Sequence, residues 1–422
     1  MKAVAKVLAA IMLLAVLMAG EAFAARKIVV IDATGNIKGT EQAAAEFTKR
    51  TGIEVECIAT TWTQYETRVR SMIAAGLPFD VVRVDQARAY QSKALDFIVP
   101  LDKYMERDRF DKSDFPDPVI NYWAFKPTGQ HFFIPYEVSS TVLWYSAAHF
   151  KEAGLERLPT RWGHSALQWD SFVETARKLT RDLDGDGKID RWGLEFPTQF
   201  GWLYVGIWGQ QWVDPYNNRF LGATPPLIDA INKWMDLSLT YMVTPRWGAH
   251  SGVQYSMRIG QTPPPAFAAN TQAYELAVAP MPWGTQSAMQ GGINGWAMSK
   301  TAQDPEAAWE FIKFFTADDG VMYWADYRSG NAPVVNRRYY RQWTEQFQTR
   351  YSLTLEDVYS MLEGSNYFWD VPLLISPNWT QIQGPFIAAL TAVAKGEKST
   401  AQAMGEIETT INTLLKEAPF TW

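Results

Sequence analysis

Three short apolar runs separated by two amphipathic stretches, all within residues 27–85, constrain the fold of this chain more than any other feature. The predicted elements are strands at 27–32, 53–58 and 80–84 and helices at 41–49 and 63–76. Alternation of strands and helices is typical of an open α/β sheet, in which ligands bind beyond the carboxyl ends of the strands. Asn36, Trp62 and Asp85 follow the predicted strand ends, so this edge of the sheet is a candidate ligand site.

A second strand-and-helix segment comes late in the chain, at residues 291–334. Residues 291–298 alternate as a strand would, and the alternation points Trp296 away from the face that carries Ile293. A helix then begins at Asp304 and Pro305, because Asp is favoured at the N-cap and Pro at the first helical position. We interpret the segment as a late return of the chain into the lobe that residues 27–85 begin.

Residues 1–24 have the pattern of a secretory signal peptide. Lys2 and Lys6 precede the apolar run at 7–18, and Ala22-Phe23-Ala24 supplies small residues at the cleavage position. The apolar run is shorter than the roughly 20 residues of a transmembrane helix. Since no Cys stands at the cut to carry a lipid, the sequence predicts export to the periplasm without a lipid anchor.

Composition excludes one class of partner and favours another. The formal net charge of −6 argues against nucleic acid and other polyanions. Cys57 is the single cysteine, so an internal disulfide is excluded.

The chain has 19 Trp, 18 Tyr and 22 Phe, and core packing is the alternative for any one of them. Because this is more Trp than packing requires, we expect a ligand with flat, neutral, apolar faces, as sugars have.

Sequence motifs of catalysis and nucleotide binding are missing from the chain. Gly396-Glu397-Lys398-Ser399 has no upstream glycine of a phosphate-binding loop, and the four His are far apart. Gly163-His164-Ser165 lacks the second glycine of a nucleophile elbow. This favours a binding protein over an enzyme, and no cofactor is required for such a function.

An Asp-rich stretch at 182–190 is the one candidate metal site. Asp182, Asp184, Asp186 and Asp190 occupy positions 1, 3, 5 and 9 of a calcium loop, with Gly187 at position 6. Position 12 is Gly193, so the bidentate Glu of such loops is missing. The stretch is therefore either a structural calcium site or an acidic turn formed by Asp-Gly chemistry alone.

Short stretches in a fixed order across the chain identify a family. They are MIAAGLPFDVV at 72–82, IPYE at 134–137, LWY at 143–145, FKEAGL at 150–155, WDSF at 169–172, KLT at 178–180, GGINGWAM at 291–298 and NAP at 331–333. In this order they resemble the extracellular solute-binding proteins of ABC importers, specifically the carbohydrate-binding family that includes maltose-binding protein. The segment at 255–260 and Gln168, which replaces the usual Thr helix cap, depart from the family pattern.

The resemblance implies a two-lobed, type II-like periplasmic binding protein fold of the α/β class. Two or three crossing segments would form the hinge, near Tyr136, Asn294 and Pro333. The first lobe would comprise residues 25–136 and 294–332, and the second lobe residues 137–293 and 333–422. The ligand would bind in the cleft between the lobes.

The resemblance also implies which side chains face that cleft. They are Asn36, Trp62, Gln64 and Asp85 from the first lobe, Glu137, Trp296 and Arg328 beside the crossings, and Trp379 from the second lobe. Trp faces would cover the C–H faces of a sugar, while Asp85 and Glu137 would accept hydrogen bonds from its hydroxyls. The alternatives are core packing for Trp62 and Trp296, and a helix N-cap role for Asp85.

The function that the resemblance implies is capture of a sugar or oligosaccharide for an ABC importer, by a monomer that delivers it to permease subunits in the membrane. One alternative keeps the fold and binds a glycerol phosphodiester or another small polar solute. An anion would require basic groups in the cleft, for which Arg83 and Arg328 are the candidates. A secreted glycan-active enzyme is the other alternative. The sequence does not name the sugar.

Overall fold

The computed structural model describes residues 26–33, 37–61, 64–94, 96–122, 124–125, 128–195, 201–247, 253–327, 333–369 and 371–420. The predicted signal peptide lies outside these ranges. Within them, none of the helices combines the length and apolar character needed to span a bilayer.

The described elements alternate along most of the chain. The strands are β1 (Lys27–Asp32), β2 (Glu54–Ala59), β3 (Val81–Asp85), β4 (Ala124–Phe125), β5 (Gln130–His131), β6 (Ile134–Ser140), β7 (Val142–Ser146), β8 (Arg191–Leu194), β9 (Val213–Asp214), β10 (Arg219–Phe220), β11 (Gln254–Gly260), β12 (Leu276–Ala279) and β13 (Gly291–Met298). The helices are α1 (Lys38–Thr51), α2 (Tyr65–Ala74), α3 (Gln86–Ala94), α4 (Asp102–Arg107), α5 (Asp117–Ile120), α6 (Ala147–Glu152), α7 (Trp169–Leu179), α8 (Pro225–Leu239), α9 (Pro265–Ala269), α10 (Thr271–Tyr274), α11 (Pro305–Thr316), α12 (Gly320–Tyr327), α13 (Tyr340–Tyr351), α14 (Leu355–Glu363), α15 (Trp379–Ala394) and α16 (Thr400–Glu417).

The first lobe is built on a sheet with the strand order β2-β1-β3-β13-β6. β1 runs parallel to β2 and β3, and β13 is antiparallel to β3 and β6. Asp304 caps α11 as predicted, since its carboxylate accepts a hydrogen bond from the backbone N–H of Ala307 at 2.9 Å. The predicted α/β sheet and the late return of residues 291–298 into it are both confirmed.

The second lobe is built on a sheet with the order β12-β7-β11-β8. β11 is parallel to β8 and antiparallel to β7, which in turn pairs with β12. β11 and β12 come from residues 254–279, where the sequence shows only weak periodicity. Short 3-10 helices complete this lobe, among them Gly201–Trp208, Gly364–Tyr367 and Pro372–Ile375.

One helix of the second lobe contains a proline. Helix α15 begins at Trp379 and carries Pro385 in its interior. A proline removes one backbone hydrogen bond from a helix. Here Ile382 and Phe386 on either side of it are buried, and their packing holds the helix through the proline.

The chain passes between the sheets at Thr141 and at Gln290, a few residues from the predicted crossings. At the third crossing, the backbone N–H of Val138 donates to Pro333 O at 3.0 Å. A further segment also joins the hinge, because Met289 N donates to Tyr367 O and Trp369 N donates to Met289 O, each at 2.8 Å. Backbone hydrogen bonds thus connect all of these segments where the lobes meet.

Candidate ligand-binding site

A buried ion cluster lies on the first sheet beside the hinge. Arg83 on β3 donates to Asp32 Oδ1 at the end of β1 (3.3 Å) and to Glu137 Oε1 on β6 (2.6 Å). All three side chains are at most 1% exposed. The rings of Tyr136 and Trp324 lie 5.5 and 5.9 Å from the guanidinium carbon. Glu137 is therefore an internal counter-ion of Arg83, and its predicted role as a ligand contact is wrong.

Trp296 is also part of the core and not of an open cleft. It is fully buried, stacks on Tyr136 at 5.9 Å, and contacts Phe315 edge-on at 5.1 Å. Strands of a sheet covered by helices on both faces bury both sets of alternating side chains. The alternation of residues 291–298 therefore did not distinguish a ligand-facing Trp from a core Trp, and the core-packing alternative is confirmed.

Asp85 caps a helix. Its Oδ1 accepts the backbone N–H of Arg88 at 2.8 Å, and its Oδ2 pairs with the Arg88 guanidinium. The N-cap alternative is thus confirmed, because both oxygens already have partners within the first turn of α3.

The next residue, Gln86, has a role that the sequence did not suggest. Its amide binds β13, donating to Gly291 O at 3.1 Å and accepting from Ile293 N at 2.8 Å.

Two of the remaining predicted contacts lie in the part of the chain that the structure describes. Gln64 is exposed just before α2 and accepts a hydrogen bond from Thr61 Oγ1 at 3.3 Å. Trp379 is half-buried at the start of α15, where its ring lies 6.3 Å from that of Phe386. Asn36, Trp62 and Arg328 lie outside the described residues, so their roles stay predictions.

A notch beside the hinge was not predicted. It has room for about one water molecule and is far smaller than a typical pocket for a drug-sized ligand. Its lining is mostly apolar and aromatic and comes from Tyr204, Gly206, Ile207, Met281, Ala288, Gln290 and Trp369. Two features of the sequence coincide with the notch lining, namely Gln290 directly before a Gly-Gly pair and the aromatic run Tyr367-Phe368-Trp369. Neither feature shows that these distant segments meet.

Polar groups stand next to the notch. The Tyr204 hydroxyl bonds to the side chain of Thr141 at the first crossing, and burial raises the pKa of Tyr204. Arg258 on β11, close enough to Tyr204 to lower its pKa slightly, pairs with Glu195 at 3.1 Å. Burial raises the pKa of Glu195, and the charge of Arg258 opposes that shift. Arg258 is thus matched by a carboxylate, as Arg83 and Arg88 are.

The Asp-rich loop joins α7 to β8 in the second lobe. Carboxylate oxygens of Asp182, Asp184 and Asp190 lie within 4.8 Å of one another, and all three side chains are exposed. Asp186 lies outside this group and pairs with Lys188 at 3.0 Å, and its place among the calcium ligands stays a prediction. The loop retains a donor set of oxygens that suits calcium.

Two α/β lobes joined by several crossing segments define a hinged binding protein, and comparison with known proteins gives its family. A family model for bacterial extracellular solute-binding proteins matches residues 33–322. The chain belongs to the bacterial extracellular solute-binding proteins.

Solved structures confirm the two-lobed fold. The sugar-binding protein MalE from Xanthomonas citri is 15% identical, with a TM-score of 0.76 over 93% of this chain and 98% of that one. ABC substrate-binding protein Lmo0181 from Listeria monocytogenes, in complex with cycloalternan, is 19% identical, with a TM-score of 0.71 over 93% and 99%. A cyclo/maltodextrin-binding protein complexed with maltotetraose is 18% identical, with a TM-score of 0.71 over 93% and 98%.

A curated relative matches over a shorter stretch. The sn-glycerol-3-phosphate-binding periplasmic protein UgpB of Brucella abortus (strain 2308) is 34% identical over 85 residues. That stretch covers 19% of this chain and 18% of the relative, less than a fifth of either protein.

Proposed function

We propose that this protein captures a neutral sugar or oligosaccharide between its lobes and delivers it to the permease of an ABC importer. The observation that carries the proposal is the character of the hinge region, where aromatic rings and neutral polar groups surround the notch. Among the described residues, the arginines nearby are already paired, Arg83 with Asp32 and Glu137, and Arg258 with Glu195. A neutral hydroxylated ligand suits such a surface better than an anion does.

The comparisons support this proposal at the level of the fold. Two of the structural neighbours, which match over nearly their full length, are complexes with a sugar. One contains cycloalternan and the other maltotetraose. The family and these neighbours are binding proteins and not enzymes. We accordingly propose that the chain has no catalytic activity on sugars, acts as a monomer, and is exported to the periplasm after removal of residues 1–24.

The second candidate ligand is a glycerol phosphate or phosphodiester, which the 85-residue match to the Brucella protein favours. A phosphate is best bound by Arg or Lys side chains that are free to donate bidentate hydrogen bonds. Arg258 would have to leave Glu195, which is itself only 21% exposed. Separating a partly buried ion pair carries a desolvation cost, so the sugar is the preferred ligand.

A ligand panel tests the proposal on the full mature chain. The panel contains maltose, maltotetraose, cycloalternan, trehalose, D-tagatose and sn-glycerol-3-phosphate. We expect at least one sugar to raise the melting temperature by several degrees, since ligand at 100 times its Kd adds about 2.7 kcal/mol of stability. A shift with sn-glycerol-3-phosphate alone would establish the second candidate. Release of hydrolysis products from a panel oligosaccharide would instead establish an enzyme.

A structural calcium ion in the Asp-rich loop stays a proposal, and chelation tests it. We expect EDTA to lower the melting temperature while the Kd for the bound panel sugar stays the same at a temperature where the protein is folded. Extracellular calcium modules bind at roughly 0.1–1 mM, so added calcium should restore the stability. Asp182→Asn is the control and should abolish the response to EDTA. An unchanged melting temperature in EDTA would show that the loop holds no structural calcium ion.

A further inference from the structure

The chain leaves helix α16 directly after Glu417, and a proline explains why. Pro419 has no backbone N–H with which to continue a helix, and its ring restricts the preceding residue to extended conformations. Ala418 accordingly has φ −135° and ψ 78°, outside the helical region. Residues 418–420 therefore form a short extended segment behind the helix.

This segment is anchored to the second lobe. Asn218, in the turn between β9 and β10, accepts the backbone N–H of Phe420 with its Oδ1 at 2.6 Å. Asn218 has a φ of 49°, in the left-handed region that Asn enters more readily than most residues. Asn412 of α16 accepts the backbone N–H of Phe220 on β10 at 2.8 Å. The β9–β10 hairpin thus holds both the helix and the segment that follows it.

The tip of the segment lies against the first lobe. The ring of Phe420 meets the ring of Tyr90 on α3 edge-on, with centroids 6.2 Å apart. Phe420 is 6% exposed and Tyr90 is 2% exposed, so little of either ring reaches solvent. The same helix packs against the 3-10 helix Pro372–Ile375 of the second lobe. Because α3 follows β3 of the first sheet, these are contacts between the lobes.

Helix α3 is itself fixed to the first lobe near both of its ends. At its start, the Gln86 amide pairs with Gly291 O and Ile293 N of β13. Towards its end, the hydroxyl oxygens of Ser92 and Tyr65 are 3.3 Å apart in a buried hydrogen bond. The helix therefore moves with the first lobe, and a contact at Tyr90 acts on the lobe as a whole.

We propose that residues 418–420 are a latch segment that favours the closed arrangement of the lobes before any ligand binds. Phe420 and Tyr90 bury each other's rings while the lobes are together, and both rings meet water once the lobes separate. Such a pair is stabilised by the hydrophobic effect and by its edge-to-face geometry. Since neither residue belongs to a crossing segment, the latch segment biases the open–closed equilibrium without altering the hinge. The inference requires only two lobes and holds for any ligand.

Phe420→Ala tests the latch segment in the ligand-free mature chain by small-angle X-ray scattering. We expect a larger radius of gyration than in the parent, because loss of one aromatic contact lowers the ratio of closed to open protein about tenfold. Tyr90→Ala should have the same effect. The double variant should show no further increase, since both residues act through one contact.

Phe110→Ala is the matched control. Phe110 also lies outside the helices and strands, but its ring packs on Phe115 at 5.5 Å and on Trp309 at 6.0 Å, both in its own lobe. Its replacement should lower the melting temperature and leave the radius of gyration unchanged.

A second variant keeps both rings and removes the anchor. Asn218→Gly retains access to the left-handed backbone conformation and deletes the acceptor of Phe420 N. The radius of gyration should again exceed that of the parent. This variant carries the test if Phe420→Ala does not fold.

The outcomes separate the latch segment from the proposed function. Parental radii of gyration in Phe420→Ala and Asn218→Gly would overturn the latch segment and leave sugar capture standing, because the measurement contains no ligand. If a panel sugar binds, Phe420→Ala should raise its Kd by up to about tenfold, since the sugar must then supply the closure that is lost. An unchanged Kd would contradict the latch segment as well. A parent that binds none of the panel sugars would overturn the proposed function alone.

Discussion

Arg83→Met is expected to lower the free energy of unfolding by about 3–5 kcal/mol, because it leaves two carboxylates buried without their counter-ion. Asp32 and Glu137, the partners of Arg83, are at most 1% exposed. Neither can be hydrated without opening the first sheet at the hinge. Urea unfolding of the mature chain, followed by far-UV circular dichroism, measures the loss.

The control for this prediction is an exposed ion pair. Arg341 and Glu345 are 88% and 62% exposed, so Arg341→Met should leave the free energy of unfolding nearly unchanged. If Arg83→Met were as mild as Arg341→Met, the buried cluster would not be the counter-ion system described here. Glu137 would then again be available as a ligand contact.

Trp296→Ala is expected to cost about 3–5 kcal/mol of stability, the range for removing a fully buried Trp side chain. The ring packs against Tyr136 and Phe315, so its removal leaves a cavity between the first sheet and α11. Sugar affinity, measured by calorimetry at a temperature where the variant remains folded, should change far less than stability. The same urea titration measures the stability.

Tyr216→Ala serves as the control for loss of a large ring, since Tyr216 is 68% exposed and should show a loss below about 0.5 kcal/mol. A Trp296→Ala variant with parental stability and much weaker sugar binding would contradict the core assignment. It would restore the role that the family resemblance implied for Trp296.

The sheet of the first lobe could be predicted because its signals are local. Period-2 apolar runs, a cap such as Asp304 and a proline such as Pro305 are read within a few residues of the element they define. The return of residues 291–298 was recognised in the same way.

The role of Glu137 could not be predicted, because its partner Arg83 is 54 residues away in the chain and the bond between them depends on strand order. The same holds for Trp296, whose alternation is identical whether the outer face meets solvent or a helix. The notch combines Tyr204, Gln290 and Trp369 from three separate segments. No spacing or motif in the sequence relates these positions.

Asp85 illustrates a choice that only geometry decides. A carboxylate after a strand end suits a ligand contact and a helix cap equally well from sequence. The 2.8 Å hydrogen bond from Arg88 N and the ion pair with the same residue decide for the cap. Closeness to a strand end therefore indicated the region of the ligand site but not which side chains contact the ligand.

The central claim is that a sugar is held between two lobes that close on it. A ligand that gains full contact with both lobes only in the closed state shifts an open–closed equilibrium by its differential affinity for that state. Small-angle X-ray scattering of the mature chain, without and with a saturating panel sugar, measures this directly. The radius of gyration is expected to be smaller with sugar than without it. A sugar that binds by calorimetry and leaves the radius of gyration unchanged would contradict it.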